Sequence, residues 1–185
     1  LQVVNRLAII DQGVQYLQEM GAEHICKVCI ANGGSCCSGC RHLIDGVGCQ
    51  LRNTSCTAWL CGFQKYVLYE MGLLQEWNDF WDQVPGQGFR EDFTPEAVSV
   101  DKPLVYHNMQ ALSIALAADL EELSRRHVGI NFIALREKID KNISQIRLQK
   151  YSYKQRKYKR NIQVITKHFR QFKIALAHYR MLAKT

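Results

Sequence analysis

Val3, Leu7, Ile10, Val14 and Leu17 recur at steps of four and three, the period of one apolar helix stripe, and Gly21 is placed to end it. A second helix is predicted from Thr57 to Trp81, where Phe63, Val67, Met71, Leu74, Trp77 and Trp81 share a face. A third covers roughly 104–127. A fourth covers roughly 130–149, with Ile139, Ile143 and Ile146 aligned. The last helix carries Ile162, Ile165, Phe169, Phe172, Leu176 and Tyr179, again at steps of three and four. Strand-like alternation is scarce, and no repeat of solenoid length is visible. Segment 22–61 breaks the helical rhythm, because Gly33, Gly34, Gly39, Gly46 and Gly48 let the backbone turn tightly. Residues 84–103 hold all three prolines and two glycines and read as a connecting loop.

The expected fold is therefore mainly α: a helical domain with an N-terminal Cys-rich metal-binding loop module. Its parts are helix plus module over 1–83, linker over 84–103 and a basic helical region over 104–185, packed as one domain. The chain has 185 residues, 47% of them hydrophobic, which suffices for a proper core and excludes a disordered composition. No apolar run approaches the ~20 residues that cross a bilayer. The first residues, starting at Leu1, have polar positions throughout and lack the basic start and apolar stretch of a signal peptide. A segment removed upstream is compatible with that start. The expectation is an intracellular, cytoplasmic protein.

Charge divides the chain. Residues 1–100 carry 6 Lys and Arg against 11 Asp and Glu, a net −5, whereas residues 101–185 carry 18 against 6, a net +12. From Lys141 to Thr185 there are 13 basic residues and no acidic one. Such a block favours a polyanionic partner: nucleic acid, an acidic protein face or an anionic membrane surface. Its densest part, 150–160, interleaves Tyr151, Tyr153 and Tyr158 with Lys150, Lys154, Arg156, Lys157, Lys159 and Arg160. The cations suit phosphates and the rings suit bases. Lys150, Tyr151, Lys154, Arg156, Lys157, Lys159 and Arg160 are the candidate nucleic-acid contacts, on a segment that reads as a loop or a continuation of helix. A solvated helix face is the plainer reading of the same charges. A larger protein complex is the other partner class they suit.

The eight cysteines all fall between Cys26 and Cys61, five of them in the fifteen residues CKVCIANGGSCCSGC. Three chemistries compete for Cys26, Cys29, Cys36, Cys37, Cys40, Cys49, Cys56 and Cys61. A disulfide framework fits the even number, but such frameworks staple small domains that lack a core. Two tripeptides, Asn53-Thr54-Ser55 and Asn142-Ile143-Ser144, match the glycosylation pattern of a secreted protein. Zinc fits the half-sites Cys26/Cys29 and Cys37/Cys40, with His24 and His42 near enough to substitute. An iron–sulfur cluster, 4Fe-4S in particular, fits irregular spacing in a glycine-rich loop with Leu43, Trp59 and Leu60 as apolar neighbours. Iron–sulfur is favoured over zinc, and zinc over disulfides. Four cysteines suffice for one cluster. Cys29, Cys37, Cys40 and Cys49 form one such set, and Cys61 reads equally well as a small buried residue.

The order of residues from Cys29 through the Cys36-Cys37 pair, Cys40, Gly48-Cys49, Arg52, Cys56 and Cys61 resembles the Cys-rich module of a zinc- or iron-chelating family, YkgJ-like and related to flagellin lysine N-methylase. The likeness spans about residues 26–61. Arg52 is followed by Asn53 where the family has proline. The resemblance implies metal binding and little about reaction. There is no P-loop, dinucleotide fingerprint or nucleophile elbow. His107, His127, His168 and His178 read as surface or satisfied core histidines, and Glu121-Glu122 as a solvated patch. The functional expectation is an accessory binding protein with a metal cluster and a basic docking region. An iron–sulfur redox or methyl-transfer-related enzyme and a secreted disulfide-rich protein are the alternatives.

Overall fold

The structure, a computed structural model, describes residues 2–34, 40–44, 48–49, 51–88 and 91–182. Most of them are helical, as the periodicity predicts. The chain opens with β1 (Gln2–Asn5), which leads directly into α1 (Arg6–Met20). Asn5 is the N-cap: its side chain accepts the backbone N–H of Ala8 at 2.8 Å. The helix ends at Gly21, whose φ of 76° is the left-handed conformation that glycine adopts without a steric penalty. Only part of the expected stripe is buried. Ile9, Tyr16, Leu17 and Met20 face the core, while Val3 and Leu7 are exposed. The large Tyr16 and Met20 turn the inward face of α1 away from Leu7, and Val3 belongs to a strand.

The cysteine segment is less of a loop than its glycines suggest. α2 (Ala22–Ala31) carries Cys26 and Cys29 on a helix. A short antiparallel pair follows, β2 (Leu43–Ile44) with β3 (Gly48–Cys49). The single helix expected over 57–81 is three: α3 (Thr54–Ala58), α4 (Gly62–Met71) and α5 (Leu74–Trp81). The first break runs through Trp59–Cys61, and the second falls at Gly72, where φ is 75°. The apolar positions stay in register across both breaks, so periodicity does not reveal them.

The presumed linker is structured. It holds β4 (Gln87–Gly88), β5 (Glu91–Asp92) and β6 (Ala97–Val100), and Val84, Thr94, Val98 and Val100 are buried. Antiparallel pairing of β6 with β1 joins Gln2 to Val100 and Asn5 to Ala97. The basic region forms four helices: α6 (Gln110–Arg126), α7 (Phe132–Leu148), α8 (Ser152–Ile165) and α9 (Arg170–Leu182). The last helix expected from Ile162 to Tyr179 is therefore interrupted at 166–169.

α6 lies against α2 and α9, and α7 lies between α4 and α8. The acidic and basic halves thus share one buried cluster, from Ile9 to Leu176. Aromatic contacts hold it. Tyr16 meets Trp77 at 5.0 Å between ring centroids, Phe63 meets Phe132 at 6.1 Å, and Tyr66 meets both Phe169 and Phe172 at 5.7 and 5.1 Å. Each such side chain contributes about 1.5–3 kcal/mol through burial. At Gly62 the backbones of α4 and α7 come together: a Cβ there would lie 1.8 Å from the Arg136 carbonyl oxygen.

Candidate nucleic-acid interface and the cysteine module

Residues 152–160 are helical, and residues 149–151 separate them from α7. Lys, Arg and Gln are good helix formers, so local propensity favours α8. Its charges do not. Arg156 and Arg160 stand four residues apart, and Lys157 and Arg160 three, spacings at which like charges repel by ~0.2–0.5 kcal/mol a pair. Lys154 lies in the first turn, and that turn has no acidic residue to complement the helix dipole. Docking offsets these costs. Ile162 is buried and Ile165 half-buried. Asn161 donates to the side chain of Asn142 on α7 at 3.0 Å, and Gln155 donates to the Gln149 carbonyl at 2.8 Å.

The remaining surface of α8 faces solvent. Lys150, Tyr151, Lys154, Arg156, Lys157, Lys159 and Arg160 are all exposed, whereas Tyr158 is half-buried on the inward side. Among the described residues, none of the six cations forms an ion pair with a carboxylate. By contrast Arg147, one turn earlier, is paired with Asp82 at 3.1 Å. Tyr153 belongs to the exposed group too. Its ring lies 5.9 Å from that of Tyr151 at an interplanar angle of 32°, and each tyrosine is 61% exposed. The Lys154 ammonium sits 5.6 Å from the Tyr151 centroid and 6.0 Å from that of Tyr153. Leu148, at the end of α7, is also exposed. The alternation of Tyr and Lys in the sequence holds the signal for Tyr153; nothing in it marks Leu148.

Cys26 and Cys61 come to one glutamine. The Gln64 side-chain amide donates to Cys26 Sγ at 3.6 Å, and its carbonyl oxygen accepts the Cys61 N–H at 3.2 Å. Cys61 is the N-cap of α4 and its sulfur receives the Gln64 backbone N–H, so the two residues cap each other. Cys29, one turn beyond Cys26, is buried. The chain folds back on it, and Gly34 N–H donates to its carbonyl at 2.8 Å. Cys40 is half-buried, and Cys56 is exposed on α3. Cys36 and Cys37 lie outside the described residues, as does the side chain of Cys49. Among the described residues, no group of three or more Cys, His, Asp or Glu converges in a way that would hold a metal ion. Of the expected apolar neighbours, Leu60 is buried and Trp59 is 48% exposed.

The histidines considered as substitute ligands have other contacts. His24 Nε2 lies 3.1 Å from Gln110 Oε1, joining α2 to α6, and His42 accepts from Arg41 Nε at 3.2 Å. His107 pairs with Glu76 at 3.3 Å. His127 and His168 approach to 5.9 Å between centroids. Burial, with the nearby cations Lys167, Arg170 and Arg126 and the His127 ring, pushes the His168 pKa down. On the solvated patch, Glu122 pairs with the exposed Arg125 and Arg126. Glu122 also lines a cavity of about 200 Å³ together with Asp119, Arg126, His168 and Arg170 among others.

No family model, curated protein or solved structure matches the chain. No helix among the described residues is long and apolar enough to cross a membrane.

Proposed function

We propose that this protein is an accessory nucleic-acid-binding protein whose basic helix α8 is the docking element. One observation carries the reading: six exposed cations, Lys150 just before α8 and Lys154, Arg156, Lys157, Lys159 and Arg160 on it, have no carboxylate partner among the described residues, and like charges along the helix destabilise it. A phosphate backbone supplies the missing counter-charge. The test is to replace Lys154, Arg156, Lys157 and Lys159 together with Glu and to titrate oligonucleotide at several salt concentrations. Loss of salt-sensitive binding is expected, and unchanged binding removes the proposal. If the four-Glu variant also loses binding to an acidic protein partner while the parent ignores oligonucleotides, docking in a larger complex replaces it.

The second part of the reading is that the cysteine module holds an iron–sulfur cluster, or zinc in its place. The contacts of Cys26 and Cys61 with Gln64 support it, because one residue donates an N–H to the sulfur of each of two cysteines remote in sequence. Further ligands would come from Cys29, Cys37, Cys40 and Cys49. Metal and sulfide analysis with an absorption spectrum, on protein purified without oxygen, decides it. Matching iron and sulfide with broad absorbance near ~400 nm supports the cluster. Stoichiometric zinc makes the module structural. Neither metal ends this part of the reading.

A further inference from the structure

We infer that the surface around α8 selects single-stranded over double-stranded nucleic acid. The inference rests on the nucleic-acid reading and adds a substrate class to it. Cations alone do not discriminate, since both forms carry phosphates. The discriminating feature is the tyrosine pair at the start of the helix. Tyr151 and Tyr153 are each 61% exposed with ring centroids 5.9 Å apart. Stacking needs an open base face, which a single strand offers and a duplex interior does not. Lys154, within 6.0 Å of both centroids, supplies a cation for the phosphate of a nucleotide bound there. From this platform Tyr153, Arg156, Lys157 and Arg160 follow one another at helical spacing on the outward face. That stripe is about 10 Å long at ~1.5 Å per residue, a length suited to a short stretch of strand. Ile162, buried, and Tyr158, half-buried, mark the opposite face and keep the stripe turned outward.

The experiment uses the full chain and fluorescence anisotropy with labelled single-stranded DNA, single-stranded RNA and duplex DNA of equal length, across a range of salt. The parent is expected to bind both single strands at least about tenfold more tightly than duplex. With up to six phosphates neutralised, its salt slope on single strands is at most about −4. Tyr151→Ala with Tyr153→Ala should weaken single-strand binding by about 10- to 100-fold, leave duplex binding alone and leave the salt slope unchanged. Phe at both positions should restore it, because the ring does the stacking. Circular dichroism checks that the helix survives. Equal affinity for duplex and single strand overturns the inference, as does an Ala pair without effect. If charge reversal on α8 abolishes binding while the Ala pair changes nothing, the nucleic-acid reading stands and only the single-strand inference falls. If the chain binds no oligonucleotide even at low salt, or binds only anionic vesicles, both fall.

Discussion

The carboxylate of Asp119, on α6 and 4% exposed, accepts the backbone N–H of Phe172 at 2.8 Å. Its other oxygen accepts from Gln171 N–H at 3.0 Å. An N-terminus that would otherwise need its own capping side chain is thus capped from a different helix. Asp119→Ala leaves two backbone donors without their charged acceptor and should cost about 3 kcal/mol. Urea denaturation measures it. Asp119→Asn, which keeps one strong acceptor, should lose less. Equal stability of the Ala variant and the parent would show that α9 docks without this cap.

Gly62→Ala tests how close α4 and α7 stand. The added Cβ meets the Arg136 carbonyl oxygen at 1.8 Å, and a backbone oxygen cannot swing aside as a side chain can. The expected loss is at least the ~1–3 kcal/mol of an overpacked core. A thermal melt within a degree of the parent would contradict the closeness of the two helices.

Asp92 fixes the acid limb of stability. Burial works to raise its carboxyl, but hydrogen bonds from Thr54 and Thr94 outweigh that and hold it below the usual carboxylate range. The Thr54 N–H lies 2.8 Å from one oxygen and the Thr94 N–H 3.0 Å from the other. Because the folded pKa lies below the unfolded one, this stabilisation is present above pH ~4 and disappears as pH falls through the folded value. Asp92→Asn should therefore be less stable than the parent at neutral pH, with the gap closing as pH falls through the folded value. A gap that stays constant down to acid pH would count against the assignment.

Tyr16 and Tyr66 govern the alkaline limb. Burial raises both phenols well above the usual tyrosine range, with the Glu76 charge adding to the effect at Tyr16. Raised folded values mean stabilisation that holds below pH ~10 and is lost as pH climbs beyond it. Phenolate absorbance from these two side chains should thus appear together with unfolding and not before it. Following absorbance and circular dichroism through one alkaline titration tests this. Ionisation of all eight tyrosines in a still-helical protein would refute it.

Much of the helical layout is legible in the chain. Ile139 and Ile143 are buried as their spacing indicates, and Gly21 ends α1 where a helix-stopping residue stands. What escaped notice were features with weak local signals. Each of the paired strands β1 and β6 is only four residues long, and their partners lie at opposite ends of the first hundred residues. Cys26 and Cys29 look like parts of a metal loop by type and spacing, yet Ile25 before them and Val28 between them are buried on one face of a helix. The break between α8 and α9 is hidden because Ile162, Ile165, Phe169 and Phe172 keep a helical phase through it.

In the basic region the charge itself was plain from composition, but its exposure was not. A run of Lys and Arg reads the same whether its charges are paired or free, since pairing depends on carboxylates elsewhere in the chain. Arg147 finds Asp82, and Lys65 finds Asp140; the six cations along α8 find none among the described residues. Likewise a Cys at the start of α4 gives no sign that Gln64 will hold it beside Cys26.

By itself the sequence determined the helical class, most inward faces and the division of charge, because 3.6-residue periodicity and composition are local properties that each segment carries alone. Only the tertiary structure decided where helices break, which strands pair, which residue caps α9 and which cations have no carboxylate partner among the described residues. Those outcomes are set by contacts between residues far apart in the chain, and no single segment contains both partners.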